Sequence, residues 1–138
     1  MSVFAHFYSY AVLWGKIIHS LADIGYDSNL LKSAAYDWRL SPDVLEARDG
    51  YFTQLKSTIE SLKNIHGEKV AIFSHSYGDR AFRHFMGWVE SEQGAAHPEW
   101  VEHHVAHYVQ IAGPTLGAPK VFIYRLTLRS NFGAKRSQ

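Results

Sequence analysis

Apolar positions along this chain change period several times, and each change predicts an element. Val12, Leu13, Ile17, Ile18, Leu21, Ala22 and Ile24 recur at helical spacing, and Gly25 follows where a helix is capped, so a helix is expected over residues 11–24. Leu30 to Tyr36 is a short apolar run expected as a strand. Ser41 and Pro42 then stand where the N-cap and first residue of a helix belong. That helix, from about Asp43 to Ile65, carries Leu45, Tyr51, Phe52, Leu55, Ile59 and Leu62 on one face. Val70 to Phe73 is continuous and partly β-branched, as in a strand buried on both faces of a parallel sheet. From Ala81 the helical period returns with Phe82, Phe85, Met86 and Val89, and this helix is expected to run to about Glu92. Gln93 to Trp100 reads as a surface loop by its Gly and Pro, and Val105 to Ala112 as a third strand. The alternation implies the α/β class: a parallel sheet flanked by helices, with residues 70–74 as a buried central strand.

Between the second strand and its helix lies Ser74-His75-Ser76-Tyr77-Gly78. A tight strand-to-helix turn lifts a serine hydroxyl clear of the sheet and aims the first helical N–H groups at it, so Ser76 is the candidate nucleophile. The usual pattern is Gly-x-Ser-x-Gly; Gly78 fits, and Ser74 puts another small residue in place of the first glycine. The pentapeptide by itself reads as an ordinary turn more readily than as an active site, and it is the flanking strand and helix that favour the nucleophile. Functional groups gather at the carboxyl ends of parallel strands. Three segments reach that edge here: Asp37-Trp38-Arg39, the Ser76 elbow, and the loop Gly113 to Lys120. Asp37 and Arg39 alone would be a structural ion pair or turn, and Gly113, Pro114, Gly117 and Pro119 loop punctuation.

Composition narrows the partners. The chain has 138 residues, room for one domain, against the roughly 200–250 residues of single-domain α/β barrels. Fourteen basic and 13 acidic residues leave a formal charge of +1, so there is no field to draw a polyanion and no nucleic-acid partner is expected. Without cysteine there is neither a disulfide framework nor a thiolate zinc site. The apolar N-terminal stretch has no basic leader and is interrupted by His6 and Ser9, so it reads neither as a signal peptide nor as a membrane span. Aromatic content of 14% is assigned to a bulky core. Val121 to Leu128 reads as a strand or apolar tail, and Arg129 to Gln138 as a frayed basic end.

In three blocks, Ala34 to Ser41 (with Asp37, Trp38 and Arg39), Phe73 to Gly78, and Ile111 to Lys120, the chain resembles the lecithin:cholesterol acyltransferase family, and within it most the phospholipid:diacylglycerol acyltransferase branch. The resemblance runs from about residue 12 to 120, with the tail 121–138 divergent. It implies a partial α/β-hydrolase fold in a single, incomplete domain over residues 1–138. It also implies attack of the serine on a phospholipid acyl ester and transfer of the acyl group from an acyl-serine to diacylglycerol or a sterol. By the same resemblance Ser76 is the catalytic residue and Tyr77, where the family commonly has Met or Leu, lends its N–H to the oxyanion hole. Ser74, His75 and Gly78 build the elbow, and Asp37, Trp38 and Arg39 lie at the pocket edge. No cofactor is implied. The family points to work at a membrane surface, that of the endoplasmic reticulum, without an anchor in this stretch. The family's catalytic acid and histidine lie beyond the residues given, so a truncated gene model, a splice product or a decayed copy is expected.

Of the nine histidines, all but His6 are expected to lie out of reach of Ser76 as its base. His66, His103 and His104 fall at the entry ends of strands, roughly 20–25 Å away at about 3.3 Å per residue. His107 points out of the sheet, His19, His84 and His97 lie on helices or the far loop, and the pattern does not fix His6. Two other readings stay open: a serine esterase or lipase of the same fold, and a non-catalytic binding remnant. A metal pair at His103 and His107, raised by Glu102-His103-His104-Val105-Ala106-His107, lacks an evident third ligand, so no metal is expected. A sheet short of its family neighbours is also expected to expose an unpaired edge and apolar surface.

Overall fold

The computed structural model describes residues 3–117, with side chains from Val12 onward; the expectations for residues 118–138 lie outside them. Two compact units follow one another, dividing after Ala35. The first holds α1 (Val3–Asp23), which covers the expected helix and extends it toward the N-terminus. Gly25 at φ 99° ends it, with the Tyr26 amide returning to the Leu21 carbonyl at 3.0 Å.

The expected strand at Leu30 to Tyr36 does not form. The Asp27 carboxylate takes the Asn29 and Leu30 amides at 2.8 and 3.2 Å, and the Leu30 and Leu31 amides also meet the Asp27 carbonyl, so this stretch begins as an Asx turn. Beyond it residues 31–36 run on without forming a strand.

The second unit opens with α2 (Pro42–Asp49) and α3 (Tyr51–His66), where one continuous helix was expected. Pro42 is the first helical residue as the sequence implied, although Ser41 makes no side-chain cap bond. Gly50 breaks the run: at φ 60° it closes α2, giving its N–H to the Glu46 and Leu45 carbonyls. Glu46 then reaches across the break and accepts the Phe52 and Thr53 amides at 2.7 and 3.2 Å. A carboxylate on the orphan amides of a first turn is what starts α3 afresh.

Next come β1 (Val70–His75), α4 (Gly78–Val89), the one-turn α5 (Trp100–His104) and β2 (Val105–Ile111). The strands pair in parallel, with Ile72 opposite Tyr108, Phe73 opposite Val109 and His75 opposite Ile111. The result is an α/β unit in which a two-stranded parallel sheet is flanked by helices. α4 starts earlier and stops sooner than its apolar pattern implied, and buries Ala81, Phe82, Phe85, Trp88 and Val89. Of these, Phe82, Phe85, Trp88 and Val89 pack with Phe52 and Ile59 of α3 and with Trp100. Trp100, read above as loop surface, is only 3% exposed. It stands edge-on to Phe85 with ring centroids 5.6 Å apart and donates its indole N–H to Glu60 at 2.9 Å.

β1 departs from the expectation of a strand buried on both faces. Val70, Ile72 and Ser74 face the helices, whereas Phe73 and Val109, neighbours on the other face, remain 37% and 39% exposed. Among the described residues each strand also has only one neighbour, so the expected open edge is present. No helix among them is long and apolar enough to cross a membrane.

Two glycines of the α4 region answer differently to an added methyl. At Gly94 a Cβ would lie 2.5 Å from the Trp88 carbonyl oxygen and 2.6 Å from Val89 backbone, whereas at Gly87, exposed within α4, it would meet nothing within 4 Å. Gly94→Ala is therefore expected to lower stability by about 1–3 kcal/mol. Gly87→Ala is expected to raise it by about 0.5–1 kcal/mol through helix propensity. Urea denaturation midpoints test both; a stabilised Gly94→Ala would mean that the turn after α4 is not as described.

Candidate active site

Ser76 stands between β1 and α4 with φ 54°, one of three non-glycine residues at positive φ among those described. A serine takes this conformation at a cost of about 1–3 kcal/mol and holds it only when its surroundings over-determine it. Here the Ser76 amide donates to the Ile111 carbonyl at 2.9 Å, tying the turn to the last residue of β2. On the other side the Ser76 carbonyl accepts the Asp79 amide at 3.2 Å, and the Tyr77 carbonyl accepts Arg80 at 3.0 Å, so α4 begins directly beneath the serine. Tyr77 and Gly78, opening that helix, are among the residues whose N–H groups have no intrahelical acceptor. Tyr77 is 47% exposed and Ser76 is half-buried.

The small residues flanking Ser76 meet each other. A Cβ on Gly78 would lie 3.7 Å from that of Ser74, so strand and helix approach at this point with room for little more. Ser74 is more than a spacer: buried beneath the turn, its hydroxyl is 2.7 Å from that of Tyr108 on β2, which donates to Asp79 Oδ1 at 2.7 Å. Arg83, one turn along α4, donates to the same oxygen at 2.9 Å. The sequence reading overlooked this network, although an acid in the first turn of α4 with Arg four residues on was a usable signal.

Asp79 is fully buried, and its Oδ2 has no partner among the described residues. Burial works to raise its pKa, but the hydrogen bonds from Tyr108 and Arg83 outweigh it and hold the carboxyl below its ordinary value. Burial first, then the bond to Asp79, pushes the Tyr108 hydroxyl up to about 12.

Of the other two expected segments, the loop after β2 comes close to the start of α4. Tyr36, next to Asp37, packs on Tyr51 with ring centroids 5.3 Å apart, and is pushed up to about 12 by burial and then by Tyr77. The loop after β2 passes over Asp79, where a Cβ on Gly113 would come within 2.7 Å of the Asp79 Cβ. Asp37 itself turns away to its own neighbours: Arg39 donates Nε and NH2 to it at 2.8 Å each, and Arg48 lies 3.8 Å away. Those hydrogen bonds hold its pKa down to about 2. Trp38 is 70% exposed. The geometry of Asp37 and Arg39 is thus that of a surface ion pair.

His75 alternates with Ser74 and lies on the opposite face of β1. No histidine is hydrogen-bonded to Ser76 among the described residues, and the side chain of His6 lies outside them. His103 and His107 also part company: His103 lies within α5 while His107 is in β2 opposite Ala71. His103 meets His97 and Glu99 instead.

A serine at positive φ at the end of a parallel strand, over the start of a helix, goes with the class the fold defines: an α/β protein with a two-stranded parallel sheet and flanking helices. Residues 6–132 match the family described as lecithin:cholesterol acyltransferase, and the chain belongs to that family. It is 46% identical over 109 residues to the phospholipid:diacylglycerol acyltransferase of Schizosaccharomyces pombe, covering 78% of this chain and 17% of the relative. The Saccharomyces cerevisiae enzyme of the same name is 45% identical over 111 residues, with the same coverage. A phospholipid–sterol O-acyltransferase of Arabidopsis thaliana is 34% identical over 109 residues, again covering 78% and 17%. The chain spans about a sixth of the length of these relatives.

The buried network sets an acid limit on the fold. Because the Asp79 pKa is lower folded than unfolded, its contribution to stability is complete above the unfolded carboxylate pKa of about 3.9 and is lost as pH falls through the folded value. Asp37 and Asp49 are shifted in the same direction. Denaturation midpoints taken from pH 6 to pH 2 should therefore fall, and Asp79→Asn should flatten that fall. Tyr108→Phe at pH 7 leaves the buried Asp79 short of a donor and is expected to cost about 1–3 kcal/mol. A Tyr108→Phe variant as stable as the parent would remove the network from any structural role.

Proposed function

We propose that this chain carries the nucleophile segment of a lipid O-acyltransferase that moves an acyl group from a phospholipid to an alcohol acceptor, diacylglycerol or a sterol. The observation that carries the reading is Ser76 at φ 54° on a strand-to-helix turn, within the stretch matched to a family whose relatives bear those names. The unit around it is read as the elbow-bearing portion of one α/β-hydrolase domain, family-like over 12–120. Ser76 is the catalytic residue, with Tyr77 lending its N–H to the oxyanion. Ser74, His75 and Gly78 shape the elbow, and Asp37, Trp38 and Arg39 stand at its edge.

In the first half-reaction Ser76 Oγ adds to the acyl carbonyl carbon while a base takes its proton. The oxyanion draws on the Tyr77 N–H, one donor of the two such a site normally uses. The ester C–O bond then breaks and the departing oxygen takes the proton, leaving lysophospholipid and acyl-serine. In the second half the acceptor hydroxyl adds to the acyl carbon and passes its proton to the base. Collapse frees the new ester and returns that proton to Ser76. A serine hydroxyl needs a positioned base, and none reaches Ser76 among the described residues. That observation favours a second reading, a non-catalytic binding role for the isolated chain.

Two measurements separate these. Incubated alone with phospholipid and diacylglycerol, the purified chain is expected to give no sustained triacylglycerol formation; turnover abolished by Ser76→Ala would reveal a base supplied within the chain. Grafted in place of the corresponding segment of the Schizosaccharomyces pombe enzyme, residues 12–117 are expected to support product formation. Ser76→Ala in that chimera should lower kcat by about 10⁶, the scale of losing a serine nucleophile. A chimera that works equally well with alanine would end the assignment.

A further inference from the structure

The corner leading into α5 takes no part in the elbow, yet it gathers chemistry of its own. His97, Glu99 and His103 each present one ligand atom, these atoms lie within 4.8 Å of one another, and all three residues are exposed. The His103 ring is already oriented: its Nδ1 is 2.7 Å from the Glu99 carbonyl oxygen. A carbonyl only accepts, so the proton sits on Nδ1 and Nε2 keeps its lone pair. One nitrogen on a backbone carbonyl and the other free is how metal-ligating histidines are commonly fixed. The His97 ring stands at 87° to that of His103 with centroids 6.1 Å apart. Its Nδ1 takes the Glu99 amide at 3.2 Å, a long bond that water can replace at so exposed a position.

The backbone beneath these side chains is anchored. Trp100 is buried against Phe85 and bonded to Glu60, and the Val101 amide donates to Glu90 at 2.9 Å. Pro98 fixes φ between two of the three residues. Gathering the donors therefore costs rotation of three side chains and little backbone order. Bonds of about 2.0–2.2 Å in a tetrahedral site set donors roughly 3.3–3.6 Å apart. Exposed side chains close the remaining gap by turning.

We propose that His97, Glu99 and His103 bind a divalent transition metal of the zinc type through two imidazole nitrogens and a carboxylate oxygen, water completing its coordination. The donor set selects borderline ions, zinc, cobalt or nickel, over magnesium and calcium, which favour oxygen alone. His107, on β2, is not a ligand. Because the unfolded chain does not hold the three residues together, the ion also staples the α5 corner to the fold.

Calorimetric titration of the full chain with Zn²⁺ is expected to show one site, accompanied by a rise in Tm. Replacing His97 and His103 together by Ala should weaken binding at least about tenfold and remove the rise, while His107→Ala changes neither. In the unaltered chain, proton NMR should show the His97 and His103 ring resonances responding to the first equivalent of Zn²⁺ ahead of the other histidines, a readout that needs no substitution. Unchanged affinity in the double variant, equal loss in His107→Ala, or equal affinity for Mg²⁺ would each overturn the site.

Discussion

One hydrogen bond, from the Ser76 amide to the Ile111 carbonyl, makes the rest of the elbow hold together. The serine's left-handed backbone is unfavourable by itself, so something must fix both of its sides. β2 fixes one side by accepting that amide, and α4 fixes the other by folding its first turn onto the Ser76 carbonyl. Neither element would be in place without the apolar layer that joins them: Phe82, Phe85, Trp88 and Val89 of α4 lie on Phe52 and Ile59 of α3 and on Trp100. The strained peptide is thus sustained by dispersion and desolvation several residues away.

Beneath the turn, polar groups complete what packing begins. Ser74, Tyr108, Asp79 and Arg83 join β1, β2 and α4 by directed bonds where an all-apolar contact would leave their relative height loose. Gly113 is required at the same point, because the backbone after β2 crosses within van der Waals range of Asp79. The elbow therefore rests on a floor of charge and hydroxyls rather than on oil.

Much of this was legible from period alone. A switch from a continuous apolar run to three-and-four spacing located β1 and α4, and a similar run located β2, because burial imposes those periods directly on the chain. Where the reading failed, the deciding interaction was either local and conformational or distant. Apolar positions keep their spacing across Gly50, so only its left-handed φ and the capping carboxylate of Glu46 reveal two helices. Leu30 to Tyr36 has strand-like composition but opens in a turn set by Asp27. Trp100 looked like loop because Gly94 and Pro98 precede it, and its place in the core depends on α3 and α4. The pentapeptide gave the position of Ser76, whereas Asp79 and Tyr108 come together only through folding. Asp37 and Arg39, placed at the pocket edge by the resemblance, form the ion pair that their residue types alone had offered as the alternative.

The span of that lower network also orders events in time. Ser74 and Tyr108 are 34 residues apart, and β1 meets β2 only after α4 and α5 have crossed between them. Closing such a loop is entropically slow compared with winding a helix. Ile111, the partner that fixes Ser76, likewise follows it by 35 residues, so the elbow's own sequence is made before the contact that holds it. The left-handed backbone of Ser76 therefore depends on a contact that only closure of this loop supplies.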